Sequence, residues 1–82
     1  MIDILYFAWV RERIGLPRER LQTTAATVED LVAELSAREA RYAAAFADVS
    51  ALRVALDQEL GDFTASLEGV REVAFFPPMT GG

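Results

Sequence analysis

The sequence contains no cysteine, no histidine and no lysine; all eight of its basic residues are arginine. Without cysteine there is neither a disulfide staple nor a thiol nucleophile, and without histidine the other common ligand for a borderline metal is missing as well. Metal binding and nucleophilic-cysteine chemistry are therefore not expected. The absence of lysine removes every side-chain amine, so Schiff-base or acylation chemistry has no group to use except the N-terminus. Positive charge is also scarce. Against 8 basic residues stand 13 acidic ones, a net charge of −5, which argues against a nucleic-acid or anionic-membrane partner. No apolar run approaches the ~20 residues of a membrane span. Asp3 stands where a secretory leader would carry positive charge, so a cytoplasmic chain is expected.

What remains is mostly apolar. Hydrophobic residues make up 52% of only 82 positions, enough for one small core and no second domain. At this length folding hides roughly 60–65% of the surface of the open chain, so most of those residues must share that core.

Ile2 to Trp9 is rich in β-branched and aromatic residues and apolar on both alternating faces except at Asp3, the pattern of a central strand. Val10 to Gly15 is short and stops at Gly15 and Pro17, which predicts no more than a helical turn. Arg18 to Thr24 alternates weakly and reads as an edge strand. Thr27 supplies an N-cap hydroxyl, and Glu29 and Asp30 favour the positive end of the helix dipole behind it. Val28, Leu31, Val32 and Leu35 then form one apolar stripe at helical spacing. This main helix either continues through Ala43-Ala44-Ala45 or breaks near Ser36, where Ser36 and Glu39 have the spacing of a capping box. Leu52 to Leu56 reads as a third strand, and Leu60 to Gly69 can hold at most a short strand and a helical turn. Arg71 to Phe76 reads as the last strand, ended by Pro77-Pro78.

These elements predict an α+β domain in which one main helix packs on one face of a small mixed sheet. The most apolar strands, the first and last, should be central neighbours. Period-two alternation then turns Ile2, Ile4, Tyr6, Val73 and Phe75 toward the helix. Leu5, Phe7 and Trp9 go to the outer face with Asp3, as do Ala74 and Phe76 with Glu72. One helix covers one side only, so Leu5, Phe7 and Phe76 form a candidate partner-docking patch. The alternative is that the segment carrying Tyr42 and Phe46, or a second copy of the chain, folds over it.

After residues 1–76, the ending Pro77-Pro78-Met79-Thr80-Gly81-Gly82 has no reason to pack. Six extended residues reach roughly 20 Å, and a Gly-Gly tip fits a narrow channel and lets an enzyme approach the terminal carboxylate closely. A frayed terminus is the plain alternative. Other candidates are weaker. Glu29, Asp30, Glu34, Glu39 and Asp48 are explained by caps and solvated faces, and Arg11, Arg13, Arg18 and Arg20 by surface charge diluted by Glu12 and Glu19. Gly61 and Gly69 lie in no phosphate-cradling pattern, so no intrinsic nucleotide site is expected.

The ending Glu72-Val73-Ala74-Phe75-Phe76-Pro77-Pro78-Met79-Thr80-Gly81-Gly82, with Leu5-Tyr6-Phe7-Ala8 and Val10-Arg11-Glu12, resembles the small subunits of molybdopterin synthase, which are ubiquitin-like β-grasp sulfur carriers. Thr27-Val28-Glu29-Asp30-Leu31 and Val54-Ala55-Leu56-Asp57-Gln58 are similar to that family too. The chain departs from it where Glu68-Gly69-Val70-Arg71-Glu72 replaces an Asp-Gly-Asp-Glu turn, and where Asp57 replaces a usual Asn. The resemblance implies no bound cofactor. An adenylating, ubiquitin-activating-like enzyme uses ATP to form an acyl-adenylate at Gly82, and a sulfur donor protein converts it to a thiocarboxylate. The tail then enters the large synthase subunit, in a heterotetramer, and gives sulfur to cyclic pyranopterin monophosphate to build the dithiolene of molybdopterin. In that scheme Gly82 reacts, Gly81 gives access, and Pro77, Pro78, Met79 and Thr80 supply reach. Leu5, Phe7 and Phe76 dock, and catalysis comes from the partners. Carriers serving thiamin, cysteine or tRNA thiolation, a protein modifier, and a plain interaction domain with an inert tail are the rival readings.

Overall fold

A computed structural model describes residues 1–78. Its elements are β1 (Ile2–Tyr6), α1 (Ala8–Ile14), β2 (Arg18–Leu21), α2 (Val28–Arg38), α3 (Ala40–Ala45), β3 (Arg53–Leu56), β4 (Glu59–Gly61) and β5 (Glu72–Phe76), with a 3-10 turn at Val49–Ala51. The strands form one sheet in the order β2-β1-β5-β3-β4. β1 and β5 are parallel neighbours at its centre, and the other pairs are antiparallel. The expected α+β architecture is therefore present, as a β-grasp fold.

The inner face is the core. Ile2, Ile4, Tyr6, Val73 and Phe75 are all buried, and they share one cluster with Val28, Leu31, Val32 and Leu35 of α2. The Asp30 backbone N–H donates to the Thr27 hydroxyl at 3.2 Å, the cap that starts this helix. α2 ends at Arg38 because Glu39 is extended (φ −151, ψ 151), and α3 begins at Ala40. The break thus falls just beyond Ser36, without a capping box, since no side-chain hydrogen bond caps α3.

Tyr42 and Phe46 are buried on the inner side. Phe46 meets Phe75 edge-on with ring centroids 4.9 Å apart, and Tyr42 stands 6.4 Å from Tyr6. The segment that carries them therefore does not cover the outer face.

One polar group enters this core. The register places Glu19 of β2 opposite Ile4 on the inner side, where its Oε2 accepts from the Tyr6 hydroxyl at 2.8 Å and the Tyr42 hydroxyl at 2.6 Å. Two buried hydroxyls thereby share one acceptor, and the edge strand is fastened to β1 and α3 together.

Three expectations need correction. The first strand ends at Tyr6, not Trp9, and the segment expected to make a single turn is a full helix of 7 residues. Consequently Trp9 does not lie on the outer face of the sheet. It is half-buried on α1, packs against the edge of the core, and carries the Arg13 guanidinium 5.2 Å over its ring. Beyond β4, the stretch to Gly69 contains turns and an isolated bridge between Thr27 and Ser66, within the expected limit of a short strand and a helical turn.

The hairpin between β3 and β4 turns through Asp57 and Gln58, both in the left-handed region (φ 51 and 71), which matches a two-residue type I′ turn. The Asp57 carboxylate accepts from the backbone N–H groups of Arg71 and Glu72, both at 3.0 Å. Its own N–H donates to the Glu72 carbonyl at 2.9 Å. The departure from Asn is therefore compatible with a clamp that holds the start of β5 against the hairpin.

Candidate docking face and tail root

Because β1 and β5 are parallel, both end at the same edge of the sheet, and the chain leaves β5 beside the end of β1. The Phe7 N–H donates to the Phe75 carbonyl at 3.1 Å and ties the two ends together. Pro77 has no N–H for the ladder, so the strand stops there. Pro77 and Pro78 are half-buried, whereas Met79, Thr80, Gly81 and Gly82 lie outside the described residues.

Strand register then assembles the outer face. Leu5 pairs with Ala74, Ala74 with Ala55, and Ala55 with Leu60, so one row of apolar side chains crosses four strands. Phe76 lies on the same side toward the tail root. The central residues of the row are alanines, and their small side chains leave a groove of about 500 Å³ bordered by Leu5, Phe7, Ala55, Ala74, Phe76 and Pro77. Leu5 and Phe76 are half-buried, and Phe7 is 45% exposed.

Phe7 stands at the rim because Ala8 turns the chain sharply with φ 53, a left-handed conformation that costs a non-glycine residue about 1–2 kcal/mol. That turn starts α1 and keeps Phe7 out of the core. The structure thus brings Leu5, Phe7, Phe76 and Pro77 to one groove at the root of the tail.

Leu60 was not anticipated as part of this face. It is 73% exposed, the most exposed leucine of the chain's large apolar residues, and its pairing with Ala55 assigns its side. Ala8 and Gln58, which also border the groove, were missed as well. The signal for Leu60 is its place opposite Ala55, and it becomes readable only once Asp57-Gln58 is known to be a two-residue turn without the glycine that marks such turns.

Charged groups around the sheet are largely accounted for. Arg20 Nε lies 2.8 Å and Arg18 Nη2 3.8 Å from the Asp3 carboxylate. The hydrogen bond from Arg20 holds the Asp3 carboxyl below its usual range. Glu39 pairs with Arg41, Glu34 accepts from the Thr23 hydroxyl, and Asp48 caps the backbone N–H of Ser50. Of the acids weighed as acid–base candidates, Glu34, Glu39 and Asp48 are therefore engaged locally and Glu29 and Asp30 lie in the first turn of α2, and among the described residues no group of three or more acids is placed to hold a metal. No described helix is long and apolar enough to cross a membrane. Burial pushes the Tyr6 hydroxyl well above the normal phenol range and raises that of Tyr42, with the bond to Glu19 adding to both.

Comparison with known proteins agrees with the fold. The SAMP1 crystal structure from Haloferax volcanii matches with a TM-score of 0.77 at 22% identity, covering 99% of this chain and 98% of that one. A protein described as molybdopterin converting factor, subunit 1, from Pyrococcus furiosus matches with a TM-score of 0.68 at 21% identity, covering 95% and 97%. At such identities these likenesses concern the fold alone.

Sequence similarity reaches further. The molybdopterin synthase sulfur carrier subunit of Escherichia coli K12 is 42% identical, and that of Haemophilus influenzae Rd is 35% identical, each over all 82 residues and the full length of both chains. The family model described as the ThiS family matches residues 4–82. A match this long takes in the sheet, the rim of the groove and the Gly-Gly ending together, and the chain belongs to the ThiS family.

Proposed function

We propose that this chain is the sulfur carrier subunit of molybdopterin synthase. The observation that carries the reading is its 42% identity, end to end, with a protein of that name. The physical layout is compatible with it. A carboxylate is a poor electrophile until it acquires a good leaving group, and the described part of the chain has no phosphate-cradling loop to supply one. Activation of Gly82 therefore falls to an adenylating enzyme that spends ATP, and displacement of AMP by sulfide released from a sulfur donor protein leaves a thiocarboxylate. That dependence on ATP fits a cytoplasmic protein.

Gly82 is the reacting group, Gly81 opens access to it, and Pro77, Pro78, Met79 and Thr80 carry it away from the domain. Leu5, Phe7 and Phe76 dock on the large subunit, with Leu60 extending their face. There the thiocarboxylate gives its sulfur to cyclic pyranopterin monophosphate. The chain is a reagent that is recharged after each delivery, and the partners provide the catalysis.

The test is an intact-mass measurement on the full chain and on a chain lacking Gly82, each incubated with the adenylating enzyme, ATP and a sulfur source. The expected result is a gain equal to one oxygen-for-sulfur exchange in the full chain only. Adding the large subunit and the pterin precursor should then reverse the gain as the dithiolene forms. A charged chain that loses no sulfur to that pair serves another thiolation pathway. A chain that never charges, with partners active on a control carrier, is an interaction domain or protein modifier.

A further inference from the structure

The apolar groove by itself does not say which way round a partner must lie, yet a tail that enters a channel requires one direction. The unpaired charges of the outer face supply a polarity. Arg53 is the Cα partner of Phe76, so it stands on the outer side at the tail-root end. It is exposed, and its Nη1 donates to the neighbouring Leu52 carbonyl at 2.9 Å. Among the described residues no carboxylate lies within ion-pair distance of it. Asp62 borders the same small cleft as Arg53, but its carboxylate is engaged by the N–H and hydroxyl of Thr64.

The opposite end of the groove is acidic. Glu72 borders it, half-buried and without an ion-pair partner among the described residues. Asp57 lies in the adjoining turn, its carboxylate held by the backbone N–H groups of Arg71 and Glu72, and Glu59 follows that turn. Asp3, which pairs with Glu72 across the strands, adds little negative charge because Arg18 and Arg20 meet it.

We propose that Arg53 and Glu72 set the direction of docking, selecting a partner whose apolar ridge carries a carboxylate where the tail enters and a cation at the other end. This inference rests on the function proposed above, and the partner is the large subunit of molybdopterin synthase. Reversing the partner on the groove would set like charges against each other. The penalty falls on the wrong orientation, while the correct one gains association rate more than strength.

The test compares the wild type with Arg53→Glu, Glu72→Arg and Arg38→Glu for binding to the large subunit at low and at physiological salt, after thermal melts show each variant folded. Arg38 lies in the last turn of α2, on the helix side of the sheet, so its reversal controls for net charge. Arg53→Glu and Glu72→Arg should each weaken binding by about tenfold at low salt, mainly through slower association, and the gap should shrink as salt rises. Arg38→Glu should bind like the wild type. Equal effects at Arg53 and Arg38 overturn the inference and leave the function standing, because net charge alone would then explain the loss. Wild-type chain that fails to bind the large subunit overturns both. If Arg53→Glu instead disrupts a dimer of the carrier and leaves large-subunit binding intact, the occupant is a second copy, and the inference is again wrong.

Discussion

The two faces of the sheet are built from the same strands and differ in what fills them. The inner face is a set of large, fully covered side chains, with Phe75 packed among Tyr6, Phe46 and Phe63. The outer face, one residue out of phase, has alanines at its centre and larger apolar groups at its rim. Adjacent residues such as Phe75 and Phe76 therefore have opposite duties. Burial of the inner set holds the domain together, whereas the outer set leaves apolar surface in water, an arrangement that is favourable only when something else covers it.

The contrast is most sharply tested by that pair of phenylalanines. Phe75→Ala should cost about 3–5 kcal/mol, enough to leave so small a domain largely unfolded, as read from urea denaturation. A cost below about 1 kcal/mol would remove Phe75 from the core. Phe76→Asp should change the stability of the free chain by no more than about 1 kcal/mol while weakening binding to the large subunit at least about thirtyfold, the loss typical of an interface anchor. Titration calorimetry reads the second number, and undiminished binding would mean that the outer face is not the docking surface.

The single polar intrusion on the inner face ranks next. Glu19→Ala removes the acceptor shared by two buried hydroxyls and should cost about 1–3 kcal/mol, with Glu19→Gln, which keeps one acceptor oxygen, losing less. If the two variants melt alike and near the wild type, water has replaced the carboxylate and the fastening of β2 is unimportant.

A smaller effect follows from Tyr6 and Tyr42, whose hydroxyls hold their protons more tightly in the folded chain than in the open one. The stability this contributes is complete below the unfolded phenol pKa of about 10 and declines as pH rises beyond it, because only the unfolded chain ionises there. The denaturation midpoint should therefore fall above about pH 10, and Tyr6→Phe should flatten that fall. A midpoint that stays level to higher pH contradicts the burial of these groups.

Much of the inner face was legible beforehand because its information is local. Alternation in β1 and β5 identifies Ile4, Tyr6, Val73 and Phe75, and helical spacing identifies the stripe of α2, since each pattern repeats within a few neighbouring residues. Thr27 and the prolines mark boundaries for the same reason. The errors fall where a local signal is missing. Nothing in Phe7-Ala8-Trp9 announces that an alanine adopts φ 53 and ends the strand three residues early.

The outer face was legible only in part, for a different physical reason. The sequence alone determined that Leu5, Phe7 and Phe76 would share a side. It did not determine that Leu60 joins them, that Asp57 clamps the start of β5, or that Arg53 stands beside Phe76. Those relations arise from register between strands far apart in the chain, where one step of slippage reverses every side chain. Tertiary structure decided them because hydrogen-bonded pairing, unlike periodicity, is a property of two segments at once.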